Sequence, residues 1–172
     1  MIYIGLGANL PSRFGGPEET IYKAYEELER NDLKIVKRSH IWFTAPVPFH
    51  PDHPWYRNSV VAVSTQKTPL SLMRTLLQIE SDLGRVRIHK NAPRKIDLDL
   101  LSYDSLCAKT PDLTVPHARM HERAFVLNPL KEIDPDWRHP ETGEHIDDLL
   151  ARVPSEQQAT RQQEQAVAKS SC

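Results

Sequence analysis

Cysteine is scarce in this chain, and long apolar runs are absent from it. Only Cys107 and Cys172 occur among 172 residues, too few for a disulfide framework or a four-cysteine metal site. The apolar runs are too short to cross a bilayer, and the N-terminus has neither the basic segment nor the cleavage site of a secretory signal. We therefore expect a reduced, cytoplasmic protein with no membrane partner.

An excess of charge of one sign is also missing. The chain has 22 Lys and Arg against 23 Asp and Glu, so no overall positive field points to a nucleic-acid partner. No Gly-x-x-x-x-Gly-Lys-Ser/Thr phosphate loop occurs, which excludes the P-loop folds. The pair Gly5-x-Gly7 is too short for a dinucleotide fingerprint, and we interpret it as a tight turn between a strand and a helix.

The pattern of apolar residues predicts the order strand, helix, strand, strand, helix, strand. The predicted strands cover residues 2–6, 33–43, 58–65 and the run from Ile96, and the predicted helices begin at Pro17 and Pro69. This order indicates an α+β, ferredoxin-like βαββαβ sandwich with a mainly antiparallel sheet and helices on one face.

A C-terminal helical extension follows the sandwich in this interpretation, with helices over residues 121–133 and 146–153. We expect one domain over residues 1–153. The last segment, 154–172, is rich in Gln, Ser and Ala with few large apolar residues, so a disordered or frayed tail is predicted there.

Two carboxylates lie two residues apart within an apolar run. The run Ile96-Asp97-Leu98-Asp99-Leu100 alternates with period two, which is typical of a strand with one buried face. Asp97 and Asp99 then share the other face, with Cα atoms about 6.6 Å apart. Like charges at that separation repel unless a cation lies between them, and Mg²⁺ prefers carboxylate, water and phosphate oxygens. The pattern indicates either a magnesium site or a solvated acidic face.

Basic side chains surround these acids in the sequence. Arg85 and Arg87 follow the second predicted helix, and an extended backbone would place both guanidinium groups on one side. Further basic residues come next, namely His89, Lys90, Arg94 and Lys95. In isolation such a cluster indicates a solvated loop. Beside two acids it favours a polyphosphate site, because arginine binds phosphate oxygens in a planar fork.

A long loop over residues 44–57 contains four prolines, and long loops of this kind tend to be functional. Tyr56 and Asn58 lie at its exit, and Phe125 follows beyond the basic region. Aromatic faces can stack on a flat heterocycle and an asparagine can bond to its edge, although core packing is the more common role for any single aromatic.

His117 and His121 have the i, i+4 spacing of metal ligands on a helix. No third soft ligand lies nearby in the sequence, so zinc is not expected, and His117 is better interpreted as a phosphate donor. No Ser-His-Asp or Cys-His arrangement and no general base stands out.

The chain resembles the 6-hydroxymethyl-7,8-dihydropterin pyrophosphokinase family from its first strand to about Val153. The most specific segment is Lys90-x-Ala92-Pro93-Arg94-x-x-Asp97-Leu98-Asp99-Leu100-Leu101, which fits the family signature at each constrained position. Other matching segments follow in family order: Gly5-Leu6-Gly7-Ala8-Asn9-Leu10, Thr44-Ala45-Pro46, Tyr56-Arg57-Asn58, Ile79-Glu80, Gly84-Arg85-Val86-Arg87 and Val115-Pro116-His117.

The resemblance implies transfer of the β,γ-diphosphate of ATP to the pterin hydroxymethyl group, with release of AMP, in folate biosynthesis. Asp97 and Asp99 would hold two Mg²⁺ ions, and Arg85 and Arg94 would stabilise charge around the transferred group. The residues implied for the ATP site are Glu80, Arg87, Leu98, Thr114, His117 and Arg123. The residues implied for the pterin site are Thr44, Val47, Tyr56, Asn58 and Phe125. The implied partners are these two small molecules alone, and we expect a monomer.

Two positions depart from the family pattern. Many relatives carry Arg-Trp-Gly-Pro-Arg before the acids, whereas this chain has Lys90-Asn91-Ala92-Pro93-Arg94 in a loop about one residue shorter. Asn91 has no aromatic ring, so it cannot cover the site as the tryptophan of those relatives would. Asp112 lies where some relatives have an arginine, which would weaken one ATP contact.

Two other functions use parts of the same pattern. A metal-dependent phosphohydrolase or nuclease could use the two acids, but it has no need of an aromatic, proline-stiffened pocket. A ferredoxin-like RNA-binding module is a further alternative, because this fold hosts many functions. The near-neutral charge and the absence of an RNA-binding strand motif with stacking aromatics argue against it.

Overall fold

An antiparallel sheet forms the centre of the fold. The computed structural model describes residues 1–86 and 88–162. The strands are β1 (Ile2–Ala8), β2 (Lys34–Arg38), β3 (Trp42–Thr44), β4 (Tyr56–Ser64), β5 (Asp97–Tyr103), β6 (Ala108–Lys109), β7 (Thr114–Val115) and β8 (Ala159–Arg161). The main sheet has the order β5-β1-β4-β3-β8, β2 also pairs with β4, and β6 and β7 form a separate small ribbon. The prediction of a ferredoxin-like α+β sandwich is confirmed.

Two helices cover one face of the sheet, as expected. They are α1 (Pro17–Arg30) and α2 (Pro69–Asp82), and each has proline in its first turn. Thr68 caps α2, where its hydroxyl accepts the Ser71 backbone N–H at 3.3 Å. The apolar stripes of the two helices pack on alternate residues of β1 and β5 in one buried cluster.

The C-terminal extension covers the opposite face. It contains a 3₁₀ turn (Met120–Glu122), α3 (Ala124–Ile133) and α4 (Ile146–Ala151). Leu127 and Leu130 of α3 pack on Val60 of β4 and Leu101 of β5 in a second buried cluster. The sheet therefore separates two apolar layers. None of the helices in the described part of the chain combines the length and the hydropathy that a bilayer crossing requires.

The predicted single strand over residues 33–43 is two strands. The backbone breaks at Ser39, whose hydroxyl accepts the Val60 backbone N–H at 3.0 Å and donates to the His40 carbonyl at 2.7 Å. A serine hydroxyl can replace a strand hydrogen bond in this way, and β-branched composition does not reveal the substitution. β2 and β3 both still pair with β4.

The predicted helix over residues 121–133 also begins later than expected. Residues 120–122 form the 3₁₀ turn, and Arg123 is extended, with φ −117° and ψ 112°, before α3 begins at Ala124. The apolar pattern of α3 extends back to Met120, which explains why the predicted helix begins before the observed one.

The tail prediction is wrong for its first part. Ala159–Arg161 form β8, which pairs with β3 in antiparallel register. Backbone groups make this pairing, so a composition poor in large apolar side chains does not prevent it. The rest of the predicted tail, residues 163–172, lies outside the described residues.

Glu132 fastens α3 to the sheet, and this contact predicts a pH-dependent stability. Its carboxylate accepts the Trp42 indole N–H at 2.9 Å and the His40 backbone N–H at 3.0 Å, and it also pairs with the His40 ring. Burial raises the pKa of Glu132, but the hydrogen bonds from His40 and Trp42 outweigh it and hold the pKa below its usual value.

Glu132→Gln is therefore expected to lower the free energy of unfolding by about 1–2 kcal/mol at pH 7, measured by urea denaturation. Because the folded state depresses this pKa, the contribution of the carboxylate is present above the unfolded pKa and is lost as the pH falls through the folded pKa. The difference in the free energy of unfolding between wild type and variant should become smaller below about pH 4.5. Glu156→Gln at an exposed position is the control, and an equal gap at pH 7 and pH 4 would contradict the assignment.

Candidate active site

Asp97 and Asp99 project from the same face of β5, as the alternation predicts. Ile96, Leu98 and Leu100 belong to the core beneath α1 and α2. Both aspartates instead line cavities on the other side of the strand. β5 is the outermost strand of the main sheet at this edge.

Glycine makes room beside these acids. Gly5 and Gly7 of β1 are paired with Asp99 and Asp97, respectively. The interpretation of Gly5-x-Gly7 as a tight turn is therefore wrong, since both residues lie inside β1. On the face that bears the carboxylates, the neighbouring strand contributes no side chain at these two positions, which leaves space for a ligand.

Two arginines bind Asp97. Arg85 Nη1 donates to Asp97 Oδ1 at 2.6 Å, and Arg94 Nη1 donates to Asp97 Oδ2 at 2.9 Å. Arg85 also pairs with Glu80 of α2, whose side chain is 4% exposed. The buried Glu80 carboxylate thus orients the Arg85 guanidinium group towards Asp97, so a residue of α2 positions a positive charge at the site.

The pKa of Asp99 is raised by its buried position beside Asp97. Burial and then the neighbouring Asp97 charge raise the pKa of Asp99 to about 7, against the opposing effect of Arg123, Arg85 and Arg94. The charges of Arg123, Arg85 and Arg94 lower this pKa, but they do not offset burial and the neighbouring Asp97 charge. A further cation at this position would be stabilised by the same repulsion.

An aromatic cavity opens on one side of the acids. Of the predicted pterin-site residues, Val47, Tyr56, Asn58 and Phe125 line this cavity. Thr44 does not line it, but its Oγ1 accepts the Asn58 Nδ2 hydrogen at 2.7 Å. Asn58 is 6% exposed, so its amide group is held in one orientation, with Oδ1 directed to Gly7.

A basic cleft opens on the other side of the acids. Of the predicted ATP-site residues, Glu80, Leu98, Thr114, His117 and Arg123 line this cleft, together with Arg85 and Lys90. The side chain of Leu98 is largely in the core, where it packs beneath the helices. Arg87 lies outside the described residues.

His117 is suited to donate a hydrogen bond in the basic cleft. Burial and then the Arg123 charge lower the pKa of His117, so its ring is neutral at pH 7. The ring Nδ1 accepts the Arg119 backbone N–H at 3.2 Å, which assigns the ring proton to Nε2. His121 is separated from this role because it packs against the buried His139 ring, at 5.6 Å between centroids.

The aromatic cavity and the basic cleft meet at the acids. The residues that line both are Asn91, Arg94, Asp97, Asp99 and Arg123. Arg123 was predicted for the ATP site alone, whereas the structure places it between the two. Its Nε is buried without a hydrogen-bond partner among the described residues, and its guanidinium carbon lies 5.4 Å from the centroid of the Phe125 ring.

The donor set at this junction fits Mg²⁺ bound together with phosphate. Two carboxylates on one strand face supply hard oxygen ligands. Among residues 1–86 and 88–162, no group of three or more His, Cys, Asp or Glu side chains could hold a metal by itself. An ion here would therefore complete its coordination with phosphate oxygens and water.

Asn9 is a site residue that the sequence analysis missed. Its Oδ1 accepts the Arg94 backbone N–H at 2.8 Å, and its Nδ2 donates to the Pro54 carbonyl at 3.0 Å. The side chain thereby joins the proline-stiffened loop to the loop that carries Arg94. A polar residue directly after a buried strand was the signal that could have identified it. His53, which lines the aromatic cavity and stacks on His50, had no comparable signal.

The chain is similar in sequence to known proteins. A sequence model of the 7,8-dihydro-6-hydroxymethylpterin-pyrophosphokinase (HPPK) family matches residues 3–135. A Pseudomonas aeruginosa protein named 2-amino-4-hydroxy-6-hydroxymethyldihydropteridine pyrophosphokinase is 38% identical over 156 residues, which cover 90% of this chain and 93% of the relative. A protein of the same name from Methylorubrum extorquens is 39% identical over 152 residues, covering 88% of this chain and 92% of the relative.

A solved structure shares the fold at low identity. The crystal structure of wild-type Plasmodium falciparum HPPK-DHPS with SDX-DHP matches with a TM-score of 0.64 and 15% identity, over 87% of this chain and 43% of that chain. The present chain thus spans less than half the length of that protein. The family match and the two relatives, each covered over more than nine-tenths of its length, place the chain in the 7,8-dihydro-6-hydroxymethylpterin-pyrophosphokinase family.

Proposed function

We propose that this chain is a Mg²⁺-dependent diphosphokinase that converts ATP and 6-hydroxymethyl-7,8-dihydropterin to AMP and the pterin diphosphate, in folate biosynthesis. The observation that carries the proposal is the meeting of an aromatic cavity and a basic cleft at one pair of aspartates. Two substrates that bind in adjoining cavities can react only where the cavities join. The family membership and the names of its close relatives support the same reaction.

In this proposal Asp97 and Asp99 hold two Mg²⁺ ions. Bound to these carboxylates, Mg²⁺ would supply positive charge to offset the negative charge of the triphosphate. The residues of the chain then have two tasks: to bind the triphosphate in the basic cleft and to direct the pterin hydroxymethyl group towards it.

The transfer exchanges one bond at the β-phosphorus of ATP. The hydroxymethyl oxygen forms a bond to this phosphorus and loses its proton to solvent water, and the bond to the oxygen bridging the α- and β-phosphates breaks. AMP leaves with the bridging oxygen. Arg85, Arg94 and Arg123 supply positive charge around the moving diphosphate, while His117, Thr114 and Arg87 bind the nucleotide. Such a reaction depends on position and charge more than on a strong base.

The aromatic cavity receives the pterin. Tyr56, Phe125, Asn58 and Val47 line this cavity. In the proposal the two aromatic rings stack on the pterin, the Asn58 amide binds its edge and Val47 adds apolar contact. Thr44 acts from behind by holding Asn58. Because residues of a single chain line both cavities, a monomer in the cytoplasm suffices for this activity.

The nucleotide product tests the proposal. The protein is incubated with ATP, Mg²⁺ and 6-hydroxymethyl-7,8-dihydropterin, and the nucleotides are separated by chromatography. AMP should appear in equal amount with pterin diphosphate, and only when the pterin is present. ADP or inorganic phosphate released without pterin would indicate the hydrolase alternative, and absence of any turnover would indicate a binding module.

A further inference from the structure

The segment over residues 154–162 contacts the active site and lies beyond the residues that the family model matches. Gln157 Oε1 accepts the Ala124 backbone N–H at 3.0 Å, and Gln157 Nε2 donates to the Glu122 carbonyl at 3.1 Å. One side-chain amide thus bridges the two residues that flank Arg123. The family model ends at residue 135, before this glutamine.

Arg123 is positioned both by its backbone and by the contact of its guanidinium group with the Phe125 ring. It lines both cavities, and its Nε is buried without a partner among the described residues. Its side chain does not cap α3, and the extended backbone at this residue separates the 3₁₀ turn from the helix. The bridge from Gln157 supplies the missing cap and fixes the peptide groups on both sides of the arginine.

The same segment also makes backbone contacts with residues 44 and 45, at the start of the loop that lines the aromatic cavity. The Gln158 carbonyl accepts the Ala45 backbone N–H at 3.0 Å, and Thr44 pairs with Ala159 between β3 and β8. Ala45 begins the proline-stiffened loop and lines the cavity. The segment therefore connects β3, whose Thr44 is hydrogen-bonded to Asn58, with the start of α3.

We propose that Gln157 is a positioning residue for Arg123 in the diphosphate transfer. The inference rests on the proposed function, because Arg123 is assigned there to the moving phosphates. Gln157 touches neither substrate in this account. It holds the arginine at the junction of the two cavities, where a small displacement would separate the guanidinium group from the transferred group.

Gln157→Met tests this role because methionine keeps the length of the side chain and removes both hydrogen bonds. We expect kcat/KM for ATP to fall about tenfold, the order expected for two ordinary hydrogen bonds. The Ala124 amide should exchange its hydrogen faster, since it loses its acceptor. Gln158→Ala is the matched control, because its exposed side chain is removed while its carbonyl remains, and its kcat/KM should stay within about twofold of wild type.

A double-mutant cycle separates positioning from general stability. If Gln157 acts through Arg123, Gln157→Met should cost less than about twofold in an Arg123→Ala background. Losses that multiply in the double variant, or unchanged exchange at Ala124, would overturn the proposal. The cycle is repeated on the affinity for α,β-methylene-ATP with Mg²⁺, measured by calorimetry. A wild type that binds this analogue but does not turn over the pterin would refute the proposed function, while the affinity cycle would still decide the role of Gln157.

Discussion

Asp99→Asn is expected to reduce turnover of ATP and pterin by at least about a thousandfold, because it removes a charged metal ligand at the junction of the cavities. The substitution keeps the size of the side chain. Arg85 and Arg94 both bind Asp97 rather than Asp99, so their contacts are retained. The loss should therefore appear in kcat, measured from AMP release at saturating substrates, while circular dichroism and the melting temperature stay close to wild type.

Asp97→Asn is a less specific change at the same site. It should abolish turnover as well. It also weakens the ion pairs of Asp97 with Arg85 and Arg94, so it should lower the stability of the fold. Asp104→Asn is the control for both, because Asp104 follows the same strand and pairs at the surface with the N-terminal amine at 2.6 Å. Activity near that of wild type in Asp99→Asn would contradict the metal assignment.

Gly7→Ala should lower kcat/KM for the pterin about a hundredfold, because its methyl group would overlap Asn58 Oδ1. Asn58 cannot withdraw freely, since Thr44 holds its amide from behind and the side chain is buried. The amide must rotate away from the heterocycle edge, which leaves that edge unmatched. Gly7 does not line the basic cleft, so the affinity for α,β-methylene-ATP should change little.

Gly5→Ala is the matched control for this change. A methyl group at residue 5 would meet Leu101 Cδ2 at 3.4 Å, an ordinary contact with an adaptable side chain. Its loss of pterin kcat/KM should therefore be several-fold smaller than that of Gly7→Ala. Equal losses in the two variants, measured by initial rates at varied pterin concentration, would contradict a specific role for the space beside Asn58.

Local patterns were sufficient to predict the strand that bears the acids. Period-two alternation places Asp97 and Asp99 on one face whatever the rest of the chain does, and the order of helices and strands restricts the topology to few choices. The apolar stripes and proline starts of α1 and α2 were equally informative, since these helices obtain their stability from one packed face.

Features that depend on distant partners could not be predicted in the same way. Gly5-x-Gly7 has the composition of a turn, and only the pairing of β1 with β5 and β4 reveals that the glycines make space within a sheet. The extended backbone of Arg123 lies inside an apolar pattern that resembles a helix. Gln157 lies in a segment with the composition of a disordered tail, and its hydrogen bonds reach residues more than thirty positions earlier.

The most direct test of this account is a crystal structure of the protein with Mg²⁺, α,β-methylene-ATP and 6-hydroxymethyl-7,8-dihydropterin. The account predicts metal ions about 2.0–2.1 Å from carboxylate oxygens of both Asp97 and Asp99. The triphosphate should lie in the basic cleft and the pterin between Tyr56 and Phe125. Metal ions bound to the phosphates alone, with both aspartates uncoordinated, would contradict it.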